Sequence, residues 1–340
     1  MILATLLNSY PRIGDRPPEQ VLRRAIASAD RGEATAPVVA QAEDEVTRQA
    51  ISEQIEAGLD VLTDGQIRWY DPVSHIARGL AGFRIGGLLR YFDTNTYYRQ
   101  PEIVGKISRE KPILLEDFHY AGQIAGRKPV KAIVTGPLTI ARLSRDRAGA
   151  DLPSRAFEIA TALNRELLDL EAAGAPFIQI DEPAIARYPG DLPILREAIP
   201  RMTAGLRRTR TILASSFGDA TPLLQGLAAL PVAMLGIDLL ATRGDVKDFA
   251  RAVPAGLGLL LGILDGRNTR LENPSEVFDR CLRPLLDPAL GAAGLQEREV
   301  HLAPNHGLEY LPRDVARAKM SLLAMLRDRA GEALSRGASG

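Results

Sequence analysis

Apolar and polar positions along the chain fall into a repeating unit. A short run rich in Leu, Ile and Val ends in polar residues, and an amphipathic helical stretch follows. Such runs predict strands over Ile2–Asn8, Asp60–Asp64, Ala132–Gly136, Phe177–Asp181, Thr211–Ser216, Ala233–Asp238, Leu259–Asp265 and Val300–Asn305. Strands that alternate with helices predict a parallel sheet. Their nearly continuous apolar character means that both faces of the sheet are covered. Repeats of this number in 340 residues fit a single (β/α)8 TIM barrel better than an open, doubly wound sheet. No G-x-G-x-x-G turn follows the first strand, which argues against a dinucleotide-binding fold.

Two stretches depart from the repeat. Residues 11–58 are long for one connection and predict an N-terminal helical extension after strand 1. Its helices start near Pro17-Pro18 and Ala36-Pro37, with Thr35 or Pro37 near the second cap. Residues 80–130 carry Gly82, Gly86-Gly87, an aromatic-rich run from Tyr91 to Tyr98, and Pro101. They predict a hairpin-like insertion between strands 2 and 3, lying as a lid over one face, with Tyr97-Tyr98-Arg99 placed to close over a pocket. No linker-like tract divides the chain, so residues 1–334 form one barrel domain and 335–340 a disordered tail.

Composition narrows the function classes. Hydrophobic residues make up 46 % and charged residues 25 %, a balance that packs a globular core. Lys+Arg and Asp+Glu both total 42, which leaves no cationic excess for nucleic acid. Cys281 is the single cysteine, so no internal disulfide and no Cys-rich metal site forms. A lone thiol suits a reducing cytoplasm. No apolar run reaches the roughly 18 residues that a membrane span needs. Met1–Leu7 is short and lacks a basic flank, so it reads as a buried strand and not a signal peptide.

In a barrel the chemistry collects at the carboxyl ends of the strands. Strand 1 exits into Asn8-Ser9-Tyr10-Pro11-Arg12. Strand 2 exits into Asp64-Gly65-Gln66, with Trp69-Tyr70-Asp71 one turn later. Strands 5 and 6 end at Ser216 and Asp238, strand 7 at Asp265-Gly266-Arg267-Asn268, and strand 8 at Asn305-His306. The sharpest motif is Ile180-Asp181-Glu182-Pro183. Alternation along a strand sends Asp181 and Glu182 in different directions. Asp181 is placed in the pocket, as an acceptor for a substrate amine or hydroxyl, and Glu182 pairs with a neighbour. The competing reading of this motif is a rim ion pair. Trp69, Tyr70 and Tyr98 offer flat walls, and Arg12 and Arg267 suit a carboxylate or phosphate. His306 is the histidine best placed to shuttle a proton or ligate, with Asp238 as its partner. Two such ligands are too few for zinc. Cys281 lies away from any strand end and is structural.

Together these motifs resemble the cobalamin-independent methionine synthase superfamily, which also includes uroporphyrinogen-decarboxylase-like barrels. Tyr10-Pro11-Arg12-Ile13-Gly14 resembles the family's "FPRVG", Trp69-Tyr70-Asp71 its "WYD", and Phe92-Asp93-Thr94-Asn95-Thr96-Tyr97-Tyr98 its "FNTNYHY". Gly136-Pro137-Leu138-Thr139, Ile180-Asp181-Glu182-Pro183 and Asp265-Gly266-Arg267-Asn268 follow in the same order, and several of these segments are closer to the family's N-terminal, zinc-free barrel. The resemblance implies methyl transfer from a methylated carrier to the thiol of homocysteine.

It also exposes departures. The family's zinc ligands align with Ala214, Ser216, Asp238 and His306, and neither thiolate is present. Its second-strand carboxylate aligns with Gln66, whereas its amino-acid-binding Asp matches Asp181. The reading that follows is a methyl or alkyl transferase acting on a small polar, thiol or amino-acid-like substrate. Asp181, Asp238 and His306 are its catalytic groups. Arg12, Asp64, Gln66, Trp69, Tyr70, Tyr98, Ser216, Arg267 and Asn268 bind the substrate. The donor is methylfolate or methylcobalamin; zinc is disfavoured, and any metal rests on Asp238 and His306. One alternative is a non-catalytic folate- or substrate-holding barrel that partners a second family member or a methyl-carrier protein. Another is a metal-independent lyase or decarboxylase of the superfamily.

Overall fold

The computed structural model describes residues 1–337 apart from Asp93 and Asn95. Its frame is a parallel sheet of seven strands: β1 (Ile2–Ala4), β4 (Lys131–Thr135), β6 (Phe177–Asp181), β7 (Arg210–Ala214), β8 (Met234–Asp238), β9 (Gly258–Leu264) and β10 (Val300–Pro304). Their order is β1-β10-β9-β8-β7-β6-β4. Every residue of β4, β8, β9 and β10 is buried, as a sheet covered on both faces requires. The registers run evenly, with Ile178 opposite Thr211 and Gly236 opposite Leu260, except for a shift between Ala303 and Pro304 where β10 meets β9.

The predicted second strand differs. Val61 and Leu62 make isolated parallel bridges to Thr5 and Val130 instead of a full ladder. The Asp60 amide donates to Ala4 O at 2.9 Å, and the Leu62 amide donates to Pro129 O at 2.9 Å. This short segment therefore touches both edges of the sheet. Val61 also joins Leu7, Phe177, Ile212, Ala214, Met234, Leu260 and Ala303 in a small core separate from the helix-facing one. The larger core lies between the sheet and the helices. Helix α6 (Leu152–Ala172) shows how it is built. Its buried Ala156, Ile159, Leu163, Leu167 and Leu170 recur every three to four residues. Asp151 caps its start by accepting from the Ser154 amide at 2.8 Å.

The N-terminal extension forms α1 (Val21–Asp30), preceded by a single 3-10 turn over Pro17–Gln20, and α2 (Ala36–Glu56) with Thr35 at its cap. The insertion is a hairpin, β2 (Ala81–Arg90) antiparallel to β3 (Tyr97–Ser108). It is flanked by α3 (Pro72–Arg78) and α4 (Leu115–Ala125), and the two-residue β5 (Arg145–Asp146) adds to its outer edge. The family-like segment around Asp93 and Asn95 lies partly outside the described residues. The C-terminal helix Arg313–Gly337 carries on through the first three residues of the expected tail; 338–340 are outside the described residues. No helix of the described residues is long and apolar enough to cross a membrane.

Candidate active site

A cavity of about 370 Å³ opens at the carboxyl ends of the strands. Its floor carries Asn8, Asp181, Ser216 and His306. Arg12, Gln66, Trp69 and Tyr70 form one wall, and Glu309 and Tyr310 another. The hairpin roofs it with Tyr91, Thr96, Tyr97 and Tyr98. Ties hold the roof down. The Tyr98 hydroxyl donates to Leu143 O at 2.9 Å, and the Arg99 amide donates to the Asp71 carboxylate at 3.0 Å. Tyr91 and Phe92 also pack on Phe217 from the β7 exit, with ring centroids 5.4 and 5.7 Å apart.

Asp181 ends β6 and projects into the cavity. It accepts from Gln179 Nε2 at 2.6 Å and Asn8 Nδ2 at 3.1 Å. Beneath it, Lys131 is wholly buried. Its ammonium donates to Gln179 Oε1 at 2.6 Å and Leu6 O at 2.8 Å. Burial pulls the Lys131 ammonium down to about 7, against the opposing pull of Asp181. Burial also pushes the Asp181 carboxyl above its ordinary range. Lys131, Gln179, Asp181 and Asn8 thus form a connected polar column.

Glu182 turns away from the cavity, as alternation requires. It accepts from the Leu138 and Thr139 amides at 2.9 and 2.8 Å and from the Thr139 hydroxyl at 2.6 Å. It caps the start of α5 (Pro137–Leu143). Gly136 is required there, because a Cβ at that position would lie 2.3 Å from the Glu182 carboxyl. The Gly-Pro turn therefore serves an internal carboxylate, not a bound anion.

Several polar groups of the wall and floor have no partner among the described residues: Arg12 Nε and Nη2, Gln66 Nε2, Trp69 Nε1, His306 Nδ1 and Glu309 Oε2. Gln66 Oε1 is used, accepting from Ser9 Oγ at 2.6 Å. Trp69 stacks on His75 with ring centroids 4.5 Å apart. The Arg12 guanidinium lies over the Tyr70 ring at 5.3 Å, and Arg267 over Phe217 at 5.5 Å. Non-glycine residues with left-handed backbones also cluster here: Gln66 (φ 52°), Phe92 (φ 50°) and Phe217 (φ 63°). Such strain collects at functional sites.

The structure brings Arg12, Gln66, Trp69, Tyr70, Tyr98, Asp181, Ser216, Arg267 and His306 to this cavity and leaves three expected residues out. Asp64 faces the other way, into a crevice shared with Asp117, Leu114 and Phe118. Gly65 and Gln66, both left-handed, turn the chain so that Gln66 takes the inward place. Asn268 is exposed and accepts from the Arg270 amide at 2.9 Å, closing its own turn. Asp238 lies behind the floor, held by Asn305 Nδ2 at 3.1 Å and by the Leu240 and Ala241 amides.

Asn8, Tyr91, Phe217, Glu309 and Tyr310 line the cavity without having been singled out. The first belonged to a strand exit already marked as polar. Tyr91 belonged to the aromatic-rich run of the insertion and Phe217 to the exit of strand 5, whereas Glu309 and Tyr310 reach the site only through tertiary packing.

These contacts test the zinc site that the resemblance raises. Ala214 offers no donor atom. Asp238 is consumed by an amide side chain and two backbone N–H groups, and His306 Nε2 stands 3.7 Å from its carboxylate. Among the described residues no group of three or more His, Cys, Asp or Glu side chains is arranged to hold a metal ion. The donor set does not fit zinc. Burial, helped by Arg267, also lowers the His306 imidazole to about 3, which favours its neutral form near pH 7.

Sheet and cavity define an α/β protein with a polar and aromatic cavity at the strand ends. Residues 5–209 match the family model described as "Cobalamin-independent synthase, Catalytic domain". A methionine synthase of Sulfurisphaera tokodaii is 30 % identical over 316 residues, covering 93 % of this chain and 88 % of the relative. One of Saccharolobus solfataricus is 27 % identical over 320 residues, covering 94 % and 92 %. Among solved structures, a B12-independent methionine synthase from Shewanella, in complex with selenomethionine, superposes with a TM-score of 0.80. It has 20 % identity and 98 % coverage of both chains. The putative vitamin-B12 independent methionine synthase of Listeria monocytogenes gives 0.72 at 16 % identity, covering 97 % and 98 %. The chain belongs to the cobalamin-independent methionine synthase family, a family of methyltransferases.

Proposed function

We propose that this protein transfers a methyl or other alkyl group to a small polar acceptor, a thiol or amino-acid-like molecule, without zinc-thiolate activation. The Val61–Leu62 bridges complete the barrel that frames the site, acting as its eighth stave. The observation that carries the reading is the cavity's division into two poles. Asp181 and Glu309 offer acceptors, and Arg12, Gln66 and Trp69 offer donor atoms with no partner among the described residues. An acceptor with an amine or hydroxyl at one end and an anionic group at the other satisfies both. The aromatic roof excludes water from the transfer. Methylfolate is the first donor to test, and methylcobalamin the second. The match to the catalytic-domain model favours this reading over a folate-holding barrel that needs a catalytic partner.

The test is turnover by the isolated protein with each methyl donor and homocysteine, after exhaustive chelation. Product formed at an undiminished rate supports the reading. Activity that appears only on adding zinc, or only with a second family member, overturns it. A companion variant, Ala214→His/Ser216→Cys/His306→Cys, is expected to bind zinc stoichiometrically where the natural chain does not, as elemental analysis would read.

A further inference from the structure

We infer that Glu309 is the proton-transfer residue of this site, taking the proton from the acceptor's S–H or other X–H group during alkyl transfer. The inference rests on the proposed function and deepens it. A nucleophile that binds in its protonated form, without a Lewis acid, loses its proton to a base in the cavity.

The geometry singles out one carboxyl. Asp181 accepts two hydrogen bonds and stands over the Lys131 ammonium. Asp71 caps α3 through the Val73 and Ser74 amides. Asp238 is held by Asn305 behind the floor. Glu309 lines the cavity, yet its Oε2 is enclosed and has no hydrogen-bond partner among the described residues.

The chain makes room for this carboxyl. A Cβ at Gly307 would lie 2.1 Å from Glu309 Oε2 and 2.6 Å from Asn8 Oδ1. Only glycine lets the carboxyl fold back beside Asn8, and Asn8 is itself bonded to Asp181. Glu309 and the acceptor-binding pole are thereby set side by side. Burial independently raises the Glu309 carboxyl to about 7, where a group can both take and return a proton near neutrality.

The step balances without another reagent. The acceptor's X–H proton passes to Glu309 Oε2. The freed electron pair on X forms the bond to the methyl carbon. The bond from that carbon to the donor nitrogen of a methylated reduced pterin breaks, its pair staying on nitrogen. Glu309 then gives the proton to that nitrogen and ends as it began.

The experiment compares the natural chain with Glu309→Gln and Glu309→Asp, using homocysteine and methylfolate. Glu309→Gln is expected to lower kcat about 100-fold or more with KM within about threefold, and Glu309→Asp to recover part of the loss. The Gln variant's deficit is expected to shrink as pH rises through the thiol's own ionisation, since a pre-formed thiolate needs no base. A merely structural role would not produce that rescue. Circular dichroism and thermal unfolding establish that the variants fold. A natural chain that turns over while Glu309→Gln keeps its rate within about threefold overturns this inference and leaves the proposed function standing. A natural chain inactive with every donor overturns both.

Discussion

Asp181 faces opposing demands. Burial favours its neutral form, and its bonds to Asn8 and Gln179, together with Lys131 below, favour the carboxylate. The column keeps an acceptor pointed at the cavity. Asp181→Asn is expected to weaken binding of an amine-bearing ligand by about 10- to 100-fold, the worth of a charge-assisted hydrogen bond. Calorimetric titration checks this, and an unchanged affinity would remove Asp181 from the binding pole. Lys131→Met keeps the length but strips the cation. It leaves Gln179 Oε1 without its donor and the Leu6 carbonyl with only the Thr5 hydroxyl, and is expected to cost on the order of 3 kcal/mol of stability in denaturant unfolding. At this scale the sequence showed Asp181 clearly, because an apolar strand delivers it. It concealed Glu309, whose position depends on the fold back over Gly307, and it misplaced Asp64, because two consecutive left-handed residues reverse the expected direction.

Elements were legible where their composition decides them. Phe177–Asp181 was readable to the residue, since a short run of Phe and Ile that ends in acidic residues and a proline fits a strand of a covered sheet. The hairpin was readable from its glycines and aromatics, and its register was not. The second strand was overread. Its apolar residues are those of a strand, but its length suffices only for bridges. The roof hairpin meets the β7 exit at Phe217, whose backbone is left-handed. Phe217→Ala is expected to loosen the roof and raise KM several-fold in steady-state assays. Phe217→Gly also loses the ring but relieves the backbone. It should therefore be as stable as the Ala variant or more so, by about 1 kcal/mol in chemical denaturation.

Titration of buried groups makes opposing contributions to the stability of the whole molecule. Asp117 is pushed up to about 7 by burial and by Asp64, which outweigh Arg68 at 3.3 Å. The folded state therefore holds a proton that the unfolded chain releases near pH 4. Its stabilising contribution is full below that point and is lost as pH rises through about 7. His75 and His301 run the other way. Burial lowers them to about 4 and about 3, so the unfolded chain binds their protons first and stability rises with pH up to about 6.5. In the natural chain the trends offset across the mildly acidic range. Asp117→Asn removes the first, so unfolding free energy should climb more steeply from pH 4 to 6.5 and fall less above it. A change of roughly 1–3 kcal/mol between pH 5 and 8 is expected. Denaturant melts at fixed pH values read it, and a profile parallel to the natural chain's would refute the assignment.

The bridged segment at Val61–Leu62 has a kinetic meaning. Strands β6 to β10 are each held by a ladder on both sides, but here the chain hangs on a few backbone bonds. Native-state fluctuations choose the seam with the least to break. Hydrogen exchange should therefore find the amides of residues 60–66 surrendering their protons well before those of β6 to β9. The first breach in the wall would then run beside Gln66 and Trp69, so the same looseness that weakens the frame provides a second route into the cavity, independent of the roof.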